Sequence, residues 1–79
     1  METKERVLNL LDEQLGIPAT EIKEDNLLIE DLGMDSLDVV EIIMGVEKEF
    51  GLKIDDNEAS EIRTAKDLID KIEKKRHGR

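Results

Sequence analysis

Apolar residues in the segment ETKERVLNLLDEQL, residues 2–15, fall at Val7, Leu8, Leu11 and Leu15. That i, i+1, i+4, i+8 spacing marks one face of an amphipathic helix. Thr3 stands where a cap is expected, and Gly16 with Pro18 two residues on provides the stop. A second helical pattern starts at Ser36 and runs to Phe50, with Gly51 ending it. Its apolar positions Leu37, Val39, Val40, Ile42, Ile43, Met44, Val46 and Phe50 wrap most of the circumference. Only a stripe through Asp38, Glu41, Gly45 and Lys48 is left for water, the signature of a central helix. Near the end, TAKDLIDKIEKK sets Leu68, Ile69 and Ile72 at helical spacing, with basic residues in the last turn complementing the helix dipole. Between these lies NEASEI, long enough for one or two turns and capped by the cluster Asp55, Asp56, Asn57, Glu58. The pattern predicts an all-α fold: a small antiparallel four-helix bundle of three longer helices and one short one.

Residues 16–35, GIPATEIKEDNLLIEDLGMD, form a long connection between the first two helices. A loop of that length in a compact domain is functional or packs its own side chains. Ile22, Leu27, Leu28, Ile29 and Leu32 can do so through a short helical turn, which makes the segment a strap across the bundle end delivering Ser36 at its exit. No internal repeat or low-complexity stretch interrupts residues 1–79, read as a single domain, and residues 75–79 read as a frayed basic tail.

With 79 residues and no cysteine, the chain supports one core and no disulfide staple. No stretch approaches the roughly 20 apolar residues that cross a bilayer, and METKERV lacks the apolar core of a secretion signal. The expectation is a soluble, cytoplasmic protein, not membrane-embedded. Twelve Lys+Arg against 21 Asp+Glu give a formal net charge of −9, which repels nucleic-acid phosphates. The acidity is concentrated: Glu21, Glu24, Asp25, Glu30, Asp31, Asp35, Asp38 and Glu41 face Lys23 alone, whereas Lys71, Lys74, Lys75, Arg76 and Arg79 crowd the C-terminus. Such a field steers a basic partner toward the Ser36 end.

A serine or aspartate before an apolar helical run is an ordinary N-cap, and this reading of Ser36 stands beside a functional one. A helix N-terminus presents unpaired N–H groups and positive potential, so a phosphate on Ser36 is well placed there, and capping and attachment can share the residue. Hydrolysis by Ser36 has no support, because the single histidine, His77, lies in the tail and no G-x-S-x-G elbow is present. Calcium binding fails as well: the window Glu30–Glu41 has the length of an EF-hand loop, but Leu32 and Met34 sit at ligand positions and Asp35 where the turn glycine belongs. No metal site is expected. Charge on the second helix is most simply a solvated stripe. Its placement beside Ser36, with Leu37, Val40 and Met44 at its edge, also suits a basic partner with an apolar centre.

The segment EDLGMDSLDVVEIIMGVEKEF closely resembles the signature of acyl carrier proteins, in which D-L-G-x-D-S-L marks the serine that receives 4'-phosphopantetheine. The similarity extends over nearly the whole chain. It implies a carrier, not an enzyme: a Mg²⁺-dependent phosphopantetheinyl transferase would attach the arm of coenzyme A to Ser36, and its thiol would present acyl thioesters to synthases, reductases, dehydratases and acyltransferases with basic patches. By the same resemblance, Asp35 and Asp38 flank the site for transferase recognition, and Glu41 and Glu47 are partner contacts. Leu37, Val40 and Met44 complete the partner face, and Val7, Leu28, Val40, Met44, Ile62 and Ile69 are candidates for lining an acyl-chain pocket. The pathway implied is fatty acid biosynthesis by a free-standing monomeric carrier. Carriage of polyketide, lipid A or aminoacyl cargo is the alternative, and an acidic helical interaction module without a prosthetic group the remote one. Lys48, Gly45 and Met34 depart from the usual pattern, where an acid, an alanine and an alanine are commoner.

Overall fold

A computed structural model describes residues 2–78, with side chains through Arg76. Four α-helices account for most of it: α1 (Thr3–Leu15), α2 (Ser36–Phe50), the single-turn α3 (Asp56–Ser60) and α4 (Ala65–Gly78). Cross-helix contacts set their directions. Arg6 near the start of α1 pairs with Glu49 near the end of α2, while Gln14 near the end of α1 donates to Asp38 and Glu41 at the start of α2. Thr3 likewise meets Arg76. Helix α1 therefore runs antiparallel to both α2 and α4, as the apolar pattern predicts.

The core is the meeting of the predicted stripes. Val7 and Leu11 of α1, Ile42 and Val46 of α2, and Leu68 and Ile72 of α4 are buried together. Ile22, Leu28 and Met34 from the long connection join them, with Ile54 and Ile62 around α3. A chain this short needs such contributions, since its helices alone enclose little apolar area.

Thr3 does not cap α1. Glu2 occupies the N-cap position without a side-chain hydrogen bond, and Thr3 is buried, its Oγ1 accepting from Arg76 Nη1 at 2.7 Å. The hydroxyl is drawn into a tertiary contact, so it is lost to the local one. Arg76 is held by the same contact. Residues 75 and 76 continue α4: Lys75 pairs with Glu58 at 2.8 Å, and Arg76 holds Thr3 while lying 5.2 Å from the centre of the Phe50 ring. Arg6 approaches the same ring at 4.4 Å, so the chain's one aromatic side chain gathers cations from α1 and α4 at the end of α2. Arg79 and the side chain of His77 lie outside the described residues.

The connection between α1 and α2 is tied down along its length. A 3-10 turn (Ala19–Glu21) follows Pro18, and the Ala19 N–H donates to Asp12 of α1. Leu27 N–H donates to the Asp31 carboxylate at 2.8 Å, and Met34 N–H to the Leu28 carbonyl. Gly33, at φ 75°, supplies the left-handed residue that turns the chain toward α2. The strap then fastens to the start of α4. Leu28 N–H donates to the Arg63 carbonyl, and the first-turn N–H groups of Ala65 and Lys66 donate to the carbonyls of Asn26 and Glu24. A single antiparallel bridge, Leu27 to Thr64, is the only β pairing among the described residues.

Candidate functional site

Ser36 is the first residue of α2 and is solvent-exposed. The residue before it, Asp35, is the N-cap. Asp35 Oδ1 accepts from Asp38 N–H at 2.9 Å, and Asp38 Oδ2 accepts from Asp35 N–H at 3.2 Å, closing a reciprocal capping box. Capping and the candidate attachment point are thus on different residues, which corrects the expectation that one serine serves both. The Ser36 hydroxyl makes no hydrogen bond among the described residues and stands free where helix N–H groups favour an anion.

The acids around it are fixed by specific donors. Gln14 Nε2 donates to Glu41 at 2.6 Å and to Asp38 at 3.3 Å, anchoring the start of α2 to α1. Glu47, half-buried, accepts the Ile54 N–H at 2.8 Å and so holds the chain that leaves α2. Its position among expected partner contacts therefore coincides with a structural duty. Leu37, Val40 and Met44 are 64%, 51% and 60% exposed, a large apolar share of surface for a helix with Ile42, Ile43 and Val46 already buried.

A cleft of ≈ 440 Å³ opens between the strap, α2 and the link from α3 to α4, lined by Leu27, Leu28, Ile29, Val39 and Ile62 with Glu30 and Arg63. That volume is within the range of small-molecule pockets, roughly 300–1,000 Å³. Of the residues named as candidate pocket lining, Leu28 and Ile62 stand on its wall. Val7 and Ile69 are packed in the core, and Val40 and Met44 face solvent. Leu27, Ile29, Val39 and Arg63 line it unanticipated. The apolar run Leu27-Leu28-Ile29 carried the signal for the first two, whereas Arg63 arrives only because the strap pairs with its backbone.

The far wall of that cleft is held by a second helix start. Thr64 Oγ1 accepts from Asp67 N–H, and Asp67 Oδ2 accepts from the N–H groups of Arg63 and Thr64 at 3.0 and 3.1 Å. Desolvation alone would raise the Asp67 pKa, but the donated hydrogen bonds from Arg63 and Thr64, with Lys66 nearby, outweigh it and hold the carboxyl below its ordinary value. Glu58 also lies below its ordinary range, chiefly through its hydrogen bond with Lys75, and Lys71 is raised by Glu61, so α3 is tied to α4 by paired charges.

Comparison with known proteins adds a family to this geometry. The family described as phosphopantetheine attachment site matches residues 5–72. An acyl carrier protein of Nitratidesulfovibrio vulgaris (strain DP4) is 45% identical over 75 residues, covering 95% of this chain and 99% of that one. One from Helicobacter hepaticus (strain ATCC 51449 / 3B1) is 47% identical over 73 residues, 92% and 96% of the two chains. A third, from Solidesulfovibrio magneticus (strain ATCC 700980 / DSM 13731 / RS-1), is 43% identical over 76 residues, 96% and 97%.

Proposed function

This chain belongs to the family of acyl carrier proteins, and on that premise we propose that Ser36 is the residue that bears its 4'-phosphopantetheine, in the service of fatty acid biosynthesis. The observation that carries the assignment is the division of labour at the start of α2: Asp35 and Asp38 cap the helix, leaving the Ser36 hydroxyl exposed and unengaged. A modified hydroxyl at that position costs the helix no cap. When bound, the arm supplies a thiol that holds acyl groups as thioesters.

The residues present suit such a group. A phosphodiester on Ser36 would sit at the positive end of the α2 dipole, while the ring of acids keeps the surrounding surface negative. Both flanking carboxylates already accept a backbone N–H at the start of α2. On this reading, a separate Mg²⁺-dependent transferase that uses coenzyme A activates the hydroxyl. Asp35 and Asp38 border the attachment point for that transferase, and Leu37, Val40, Glu41 and Met44 offer the face for acyl synthases, reductases, dehydratases and acyltransferases. Glu47 sits farther along the same helix. We assign the protein to the cytoplasm as a monomer. No helix among the described residues is long and apolar enough to cross a membrane.

Incubating the apo protein with coenzyme A, Mg²⁺ and a broad-specificity phosphopantetheinyl transferase tests the site. Intact-mass analysis should show one phosphopantetheine on wild type and none on Ser36→Ala. Addition that persists in the variant would refute the assignment. The pathway is tested separately, by identifying acyl groups on protein isolated from its host: saturated and 3-hydroxy chains of graded length support fatty acid synthesis, and a single unrelated cargo refutes it.

A further inference from the structure

The charged side chains of α2 divide unevenly between those already bound within the molecule and those that are not. Asp38 closes the capping box, Glu41 accepts from Gln14, Glu47 accepts from Ile54, and Glu49 accepts from Arg6. Lys48 is the remaining one: it is exposed and makes no hydrogen bond or ion pair among the described residues. A cation with no partner among the described residues, on a helix whose acids all have one, is available to something outside the chain.

Its position gives that availability a geometry. Leu37, Glu41, Met44 and Lys48 follow the i, i+4, i+7, i+11 spacing of one helical face, with Val40 beside them, and all are exposed. Along this face the sign of charge changes from Asp35 and Glu41 at one end, across apolar Met44, to Lys48 at the other, where the flanking Glu47 and Glu49 are held by the Ile54 N–H and by Arg6. Glu41 and Lys48 are seven residues apart, about 10 Å along the axis. A uniformly basic surface complements only the first part of such a face and meets repulsion at Lys48.

We infer that this face of α2 is a bipolar docking surface for an enzyme on which a cation and a carboxylate stand about two helical turns apart across an apolar contact, the carboxylate pairing with Lys48. The inference rests on the carrier reading above and adds to it a specificity element. Lys48 selects against partners that present cations along the whole length of α2.

The test uses the holo protein and an acyl-condensing enzyme from the same host. Loading is verified by mass before any kinetics, so a failure to load is seen separately and defeats the attachment reading, and this inference with it. Lys48→Glu should lower kcat/KM of the condensing enzyme by about fivefold at low ionic strength, mostly through KM, with Lys48→Ala intermediate. The loss should shrink in about 0.5 M salt. Reversing a carboxylate on the condensing enzyme's docking surface should restore the rate with Lys48→Glu. Circular dichroism that matches wild type assigns the effect to docking. Values for Lys48→Glu equal to or above wild type would overturn the proposal, because a wholly basic surface would then be the true complement. A wild-type dimer in sedimentation that Lys48→Glu dissociates would overturn it too, by assigning the face to self-association.

Discussion

Exchanging Ser36 and Asp35 for alanine in turn separates the two duties that one residue would otherwise combine. Ser36 is exposed, its hydroxyl is unbonded among the described residues, and it is the first helical residue, not the cap. Its loss removes no contact, and alanine is the better helix former, so Ser36→Ala should change stability by no more than about 0.5 kcal/mol in either direction. Asp35→Ala removes the acceptor of the Asp38 N–H but leaves the reciprocal bond, which its own backbone N–H donates to Asp38. Cap removal of this kind costs roughly 0.5–2 kcal/mol. Loss of a carboxylate at a helix N-terminus adds about 0.3–1 kcal/mol, but relief of repulsion between Asp35 and Asp38 offsets part of it. A net loss of about 1 kcal/mol is expected, or about 4–8 °C in Tm for a domain of this size. Asp35→Asn keeps an oxygen acceptor and should recover most of it. Urea unfolding followed at 222 nm, at about 0.15 M salt to damp long-range repulsion, measures all three variants. Equal losses for Ser36→Ala and Asp35→Ala would refute the separation of roles and return the cap to the serine.

Gly45 sits inside α2, where an added Cβ would meet nothing within 4 Å; Gly45→Ala should therefore stabilise by about 0.5–1 kcal/mol in the same urea titration. Asp67 has a folded-state pKa below its unfolded one. Its stabilisation is therefore complete above the unfolded value, near pH 4, and is lost as pH falls through the folded value. Asp67→Asn should flatten that acid limb of a stability-against-pH curve, and a limb of unchanged slope would contradict the assignment. Phe50→Leu retains apolar bulk but ends the approach of Arg6 and Arg76, and should cost about 1 kcal/mol by thermal melting.

Much of the fold was legible because the helices are amphipathic and punctuated. The period of Val7, Leu11 and Leu15 and the glycines at 16 and 51 mark boundaries that hold in three dimensions. The cap at Asp35 was within reach, since Asp35-x-x-Asp38 is a capping box with aspartate in place of the usual Glu or Gln. Thr64-x-x-Asp67 is a second signal of the same kind, masked by the stronger apolar run after it. The strap could not be read in the same way. Its ties from Leu28 to Arg63 and from Glu24 and Asn26 to the start of α4 join backbone groups far apart in the chain, and backbone groups carry no sequence label. The internal duty of Glu47 is hidden for a related reason: its donor, the Ile54 N–H, is set by the path of the chain after α2. The serine and its flanking acids were visible because their relation is local.

The hydrogen bond from Arg76 to Thr3 brings the first and last turns of the bundle side by side, while Ser36 opens α2 at the opposite pole, about 20 Å away along that helix. A domain or affinity handle grafted before α1 or after α4 would trail away from Ser36 and leave its approach clear. Bridging the start of α1 and the end of α4 with a short peptide and cutting the chain elsewhere should likewise give a rearranged polypeptide with the start of α2 intact.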